Sequence, residues 1–267
     1  MRYTIIGGEG LIARHLVKHL SNMGCHVECL PKNQLPSIEK NYGVIIYCAG
    51  VKSDFEHKLF DLVEAHVCYL ACFLKSATFE HFIYLSSTRL YSKTKIGLED
   101  NKIFKVDNTD VYNLSKLLGE AVCLMCKKNI TIVRLSNVLC KEAMDGFFHV
   151  ILNQAIATNE INISENKTMA RDYIIMEELI QALVLVCNKK INGIFNFASG
   201  CFIKNSEIVS LIQQYIPIKR VSYGRKRIKF PDISTQKTLD ELSFKFTNPR
   251  EYMKNIIKDK LAEGIII

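Results

Sequence analysis

The chain has 267 residues, 48% of them hydrophobic, and a formal net charge of +8. That length suits one large domain, or a domain with a small lobe, whose core needs no disulfide or metal to hold it. The ten cysteines sit in apolar segments such as AVCLMC (121–126) and VIIYCAG (44–50), which reads as reduced thiols of a cytoplasmic protein. No signal peptide is recognisable, and no apolar run is long enough to span a bilayer, so no membrane partner is expected.

Taken in chain order, residues 2–6 read as a short strand stopped by GGEG, and 11–23 as a helix ended at Gly24. Residues 26–30 form a second strand up to Pro31, and 43–50 a buried third strand closed by glycine. A long helix is expected over 56–77, a fourth strand over 81–87, a helix over 111–128 and a fifth strand over 130–136. Helix 177–188 and strand 193–199 complete the regular part. Strands that alternate with helices and are apolar throughout imply a parallel sheet covered on both faces, an α/β doubly wound fold of Rossmann type. Segments 141–176 and 200–267 look irregular. They are read as a small, mainly C-terminal substrate lobe beside a core of 1–140 and 177–199, all within one domain.

The segment TIIGGEGLIARHL (4–16) spaces Gly7, Gly10 and Ala13 as G-x-x-G-x-x-A between the first strand and its helix. Glycine at such a turn lets backbone approach a pyrophosphate, whose charge the helix N-terminus favours. An acid at the end of strand two would select NAD, but CLPKN (29–33) has Pro31, Lys32 and Asn33 there. Losing the acid and gaining a cation favours NADP, while Glu9 in the loop favours NAD; NADP is the preferred expectation. The basic cluster YGRKRIKF (223–230) comes without a nucleic-acid-binding motif, so a small phosphorylated partner is expected and nucleic acid is not. Cys123 and Cys126 form a C-x-x-C in mid-helix with no second pair, so no metal site is expected.

Tyr112 and Lys116 lie four apart, hence on one face of the 111–128 helix. An ammonium that close favours the phenolate and would lower the Tyr112 pKa. Together with Ser86 and Ser87 ending strand four, the pair resembles the working residues of a short-chain dehydrogenase/reductase. The chain resembles the extended branch of that superfamily, the NAD(P)-dependent sugar-nucleotide epimerase/dehydratase/reductase group. GGEGLIA is similar to its glycine loop, CAG (48–50) to the end of its third strand, LSSTRLY (85–91) to its serine strand, and YNLSK (112–116) to its Y-x-x-x-K. RLSNVLC (134–140) resembles R-x-x-N-V-Y-G, ARDYIIMEEL (170–179) resembles R-D-F-I-x-V-x-D, and DISTQKTLDEL (232–242) the family's closing segment.

The resemblance implies Tyr112 as acid/base, Lys116 as holder of the nicotinamide ribose, and Ser87 as the hydroxyl on the substrate oxygen. It implies dinucleotide contacts from Gly7, Gly10, Leu11, Ile12, Lys32, Ala49 and Lys116. Substrate contacts would come from Ser86, Thr88, Asn137 and Arg171, with Arg225 and Arg227 as further diphosphate partners. Thr88 and Arg89 stand where family dehydratases carry an Asp-Glu pair. Arg89 also replaces the Cys of 3,5-epimerising reductases that resemble GDP-fucose synthase. Neither of those chemistries is therefore expected. His66, where the family often has Asn, reads as a bonded structural histidine. The expected function is oxidoreduction of a nucleoside-diphosphate sugar, most simply reduction of a 4-keto hexose. C4 epimerisation with tightly held NAD and a non-catalytic NAD(P)-binding sensor or scaffold remain as alternatives. Relatives often dimerise through helices equivalent to 56–77 and 111–128, so a homodimer is one further expectation.

Overall fold

Val44 and Ile46 of one strand are buried against one layer of helices, and Ile45 and Tyr47 against another, so the strand is apolar at every position. The computed structural model describes residues 1–51, 58–100, 103, 110–126, 128–226 and 230–263. The first half runs β1 (Arg2–Ile6), α1 (Leu11–Asn22), β2 (His26–Leu30), β3 (Val44–Tyr47), α2 (Leu59–Val63), α3 (Tyr69–Ser76), β4 (His81–Ser87), β5 (Ile96–Gly97), α4 (Val111–Met125) and β6 (Ile130–Leu135). The second half runs β7 (Asn137–Leu139), α5 (Phe147–Thr158), β8 (Glu160–Glu165), β9 (Ala170–Ile175), α6 (Met176–Lys189), β10 (Gly193–Phe197), β11 (Phe202–Lys204), α7 (Asn205–Gln213), β12 (Arg220–Lys226), β13 (Asp232–Ile233), α8 (Gln236–Leu242) and α9 (Arg250–Ala262).

Six strands form one parallel sheet in the order β10-β6-β4-β3-β1-β2. The chain leaves β1 toward β2 and returns to the other side of β1 as β3. Beyond the carboxyl ends of β1 and β3 lies the switch point where such sheets bind ligands. Helices α1 and α6 cover one face of the sheet, and α3 and α4 the other. The expected α/β doubly wound parallel fold is therefore what the chain adopts.

Two expectations need correction. The helix expected over 56–77 is α2 and α3 joined by a π turn at Glu64–Cys68, residues 56 and 57 lying outside the described residues. Buried tyrosines on the sheet donate to carbonyls of that turn, Tyr47 Oη to Ala65 at 2.5 Å and Tyr84 Oη to His66 at 3.5 Å. The segments read as irregular after residue 140 instead hold helices and strands around their own core of Phe148, Ile151, Ile161, Tyr173, Ile208 and Met253. Helix α5 (FFHVILNQAIAT) buries His149 and exposes Val150 and Ala157, so its apolar residues do not mark a single face, which hides it from a periodicity reading.

One buried ion pair joins three elements. Arg134 on β6 grips Glu120 on α4 through two bonds, Nε to Oε1 at 2.9 Å and Nη2 to Oε2 at 2.7 Å. Ser86 on β4 donates to Glu120 Oε1 at 2.5 Å, and Arg134 donates to Tyr91 Oη at 2.6 Å. Tyr91 in turn donates to Asn196 on β10 at 2.8 Å. Removing one partner strands a buried charge, at a typical cost of about 3–5 kcal/mol, whereas replacing both by apolar groups is often near neutral. Glu120→Leu is expected to destabilise by about that amount in urea unfolding, and adding Arg134→Met is expected to restore most of it.

Candidate active site

The loop after β1 is shaped for close approach. Gly7 has φ +80, and a Cβ on it would stand 2.8 Å from the Ala49 Cα at the end of β3. Gly7 N donates to the Leu30 carbonyl at 2.8 Å, and Gly10 N to the Gly7 carbonyl at 3.1 Å. Gly10 then starts α1 without any side-chain cap. The first-turn amides of a helix have no intrahelical partner, and here they open at the switch point of the sheet. That cradle fits a dinucleotide pyrophosphate. Leu11 and Ile12 in the first turn pack, partly buried, on the core beneath it, and Ala49 is buried. Lys32, beyond β2, has its ammonium 4.0 Å from the Asp61 carboxylate on α2.

Tyr112 is the second residue of α4, whose N-cap is Asp110; the Asp110 carboxylate accepts from Asn113 N at 3.1 Å. Its phenol lies beside the hydroxyl of Ser87, the last residue of β4, which acts to lower its pKa. The phenol ring is held from two directions. His66 in the π turn meets it edge-on with ring centroids 5.6 Å apart, and the Arg89 guanidinium lies 5.3 Å from its centroid. Arg89 also pairs with Asp110 at 3.3 Å and donates its own N–H to Ser87 Oγ at 3.2 Å. Burial pushes the Tyr112 pKa above 10, while the Ser87 hydroxyl and the Arg89 charge act downward.

That direction corrects the expectation that Lys116 lowers it. The Lys116 ammonium is buried one turn along, donating to the Leu85 carbonyl at 2.8 Å and lying 5.1 Å from the Tyr84 ring centroid. Burial brings its pKa down to about 8 against the upward pull of Glu120. The cation stacked on Tyr112 is Arg89.

The remaining expected substrate residues divide. Ser86 does not face a ligand, because its buried hydroxyl is committed to Glu120. Thr88 is likewise buried, its hydroxyl donating to the Leu135 carbonyl at 3.2 Å. Asn137 is exposed and its amide donates to the Asp172 carbonyl at 2.9 Å. Arg171 is met inside the chain, bonded at 2.6 Å to both Glu165 oxygens and lying 3.6 Å from the Phe147 ring centroid. Arg225 is exposed on β12, and Arg227 lies outside the described residues. Sequence reading missed the roles of Ser115, Glu120 and Arg134. The signal for Glu120 was its position one turn after Lys116 on the face that meets the sheet.

All ten cysteines are free thiols. Among the described residues the one group with metal-ligand character is His15, Cys140 and Glu142, whose donor atoms lie within 4.8 Å of one another. Cys140 donates to Glu142 at 2.8 Å beside the His15 ring, a contact that explains their closeness. No helix among the described residues is long and apolar enough to cross a membrane.

Residues 37–198 match the model of the NAD dependent epimerase/dehydratase family. That is more than half of the chain, which belongs to this family. No curated protein matches it. Among solved structures it resembles "MoeE5 in complex with UDP-glucose and NAD" at 18% identity and TM-score 0.84, over 99% of this chain and 100% of that one. It also resembles UDP-glucuronic acid 4-epimerase from Bacillus cereus in complex with UDP-glucuronic acid and NAD, at 16% identity and TM-score 0.79, over 99% and 100%. A third is RMD from Pseudomonas aeruginosa complexed with NADPH, at 14% identity and TM-score 0.77, over 97% and 99%.

His66 yields a pH dependence. Its Nδ1 is 2.9 Å from Ser115 Oγ, which donates to the Tyr112 carbonyl at 3.0 Å, while its Nε2 is buried without a hydrogen-bond partner. Burial, with the Lys116 charge, lowers its pKa from 6.5 to about 2. Below pH 6.5 the unfolded chain binds a proton that folded His66 refuses, so stability falls as pH falls. The loss is at most about 1.4 kcal/mol per pH unit. His66→Asn is expected to flatten the acid limb of stability by that slope, read from urea midpoints at stepped pH. His81 and His149, lowered in the same direction, remain in both proteins and cancel in the comparison.

Proposed function

We propose that the chain is an NAD(P)-dependent oxidoreductase of a nucleoside-diphosphate sugar, with reduction of a 4-keto hexose as its preferred reaction. The neighbouring Ser87 hydroxyl and Tyr112 phenol carry this reading, because together they present two hydroxyls to one substrate oxygen. A bound nicotinamide dinucleotide supplies or receives the hydride. Tyr112 Oη moves the proton at the substrate oxygen, Ser87 Oγ orients that oxygen, and the α1 amides hold the pyrophosphate. Lys116 contributes the fixed charge beside the nicotinamide ribose, and Arg89 favours release of the phenol proton. Thr88 and Arg89 offer no carboxylate or thiol to strip a proton from carbon, which supports plain hydride chemistry. An aligned Ser–Tyr pair also counts against a scaffold role.

Lys32 and the missing strand-two acid support NADP. The second reading, C4 epimerisation with retained NAD, draws support from Asp61, which sets a carboxylate beside Lys32 where a 2′-phosphate would lie. The exposed Phe60 and Val63 on α2 and Leu114 and Leu118 on α4 support a homodimer through that face. Ten free thiols suit a reducing compartment such as the cytoplasm.

Denaturing freshly purified protein and weighing the released nucleotide, then titrating with NADPH and NADH, tests the reading. An empty site preferring NADPH is the expected result, retained NAD favours the epimerase, and binding of neither contradicts the whole reading. Tyr112→Phe is expected to lower turnover by about 100-fold or more with dinucleotide affinity nearly unchanged.

A further inference from the structure

His15, Cys140 and Glu142 have no part in the chemistry proposed above, yet they bring three kinds of metal donor to one point. His15 lies on α1, one turn beyond Leu11, and is 125 residues from Cys140, which directly follows β7. Its Nε2 is 3.4 Å from Cys140 Sγ and 3.7 Å from Glu142 Oε2, and the sulfur is 2.8 Å from that same oxygen. Zinc at tetrahedral angles, with bonds of about 2.3 Å to sulfur and about 2.0–2.2 Å to nitrogen and oxygen, holds its ligand atoms roughly 3.4–3.6 Å apart. Two edges of the triangle already lie near those values. The third is short because the thiol proton bridges it, and it lengthens when a cation takes the place of that proton. Cys140 is fully buried in the core and the His15 side chain is 24% exposed, whereas that of Glu142 is 65% exposed and has room to shift.

The charge of the group also suits a divalent cation. A thiolate, a carboxylate and a neutral imidazole together carry two negative charges, so filling the site leaves no net charge beside the core. Thiolate and imidazole select zinc over magnesium or calcium, which prefer oxygen ligands. We propose that His15, Cys140 and Glu142 form a zinc site whose fourth position is open to water. On binding, the Cys140 S–H bond releases its proton to solvent and the sulfur electron pair forms the bond to zinc, with nothing oxidised or reduced. Helix α1 begins at the phosphate cradle, and β7 belongs to the smaller sheet β11-β9-β7, so the ion clips these two parts of the fold together. Among the described residues no second group of three such donors comes together, which assigns a thiolate-bound ion to Cys140.

The test is a titration of the full, reduced chain with cobalt(II) in the absence of added thiol, read by absorbance and followed by competition with zinc. Cobalt(II) enters tetrahedral zinc sites, and bonded to a thiolate it shows a charge-transfer band in the near ultraviolet. A band that saturates at one cobalt per chain is expected, removed by zinc and absent in Cys140→Ser. His15→Gln and Glu142→Gln are expected to weaken cobalt binding at least about tenfold. Zinc is expected to raise the thermal midpoint of the wild type by more than that of Glu142→Gln at the same concentration. Because Cys140 is buried, the variant at the exposed Glu142 keeps the test decisive if Cys140→Ser fails to fold. No uptake of cobalt, uptake without the band, or a band of undiminished affinity in both His15→Gln and Glu142→Gln overturns the site. None of these outcomes bears on the nucleotide-sugar reading, which the site does not need.

Discussion

The site depends on how closely α4 can be drawn onto the sheet. Tyr112 reaches Ser87 only because the helix lies almost in contact with β4 and with the π turn. At Gly119 a Cβ would stand 2.3 Å from Tyr84 Oη and 2.7 Å from the His66 carbonyl. One turn before that contact, and at the residue directly after it, the helix is fastened by charge. Lys116 donates to the Leu85 carbonyl, and Glu120 is gripped by Arg134 and Ser86. A glycine for proximity and a buried charge on either side thus fix where the N-terminal turn of α4, and with it Tyr112, must come.

The same arrangement explains the division of labour among the polar residues of β4. Ser86 and Ser87 are adjacent, so their side chains point to opposite faces of the strand. Ser86 turns to the Glu120 network and Ser87 to Tyr112. The buried network holds the scaffold, and the half-buried serine is left for the site. His66 is continuous with both, since it meets the Tyr112 ring and bonds Ser115 on α4. The π turn that carries it is satisfied by Tyr47 and Tyr84 from beneath. A local insertion in a helix ladder next to a working residue is a common device for aiming a side chain.

Much of this was legible in the sequence for physical reasons. Strands buried on both faces must be apolar throughout, a phosphate turn must have glycine where backbone approaches backbone, and a helix that brings Tyr112 and Lys116 to one site must space them by one turn. What was not legible depended on contacts between distant segments. Glu165 on β8 and Arg171 on β9 are close in sequence but stand in different sheets, and their pairing across the intervening turn withdraws Arg171 from the surface. Ser86 and Ser87 look equivalent until α4 is placed. Charge type was visible at Lys116 and Arg89 alike, whereas which of them stacks on the phenol depended on the turn after β4. Helix α5 buries His149 and exposes Val150 and Ala157, so its surroundings rather than its pattern decide which face packs.

The central claim is that Ser87 and Tyr112 together carry out proton transfer coupled to hydride movement at a sugar carbon. It is tested most directly by mixing the protein and a 4-keto nucleotide sugar with NADPH that carries deuterium at the transferred nicotinamide position, and following the reduced-nicotinamide absorbance in stopped flow. The account predicts a transient or net change in that absorbance, slowed by the deuterium and absent in Tyr112→Phe. A bound sugar that produces no change in wild-type protein, or an equal change in the variant, would contradict it.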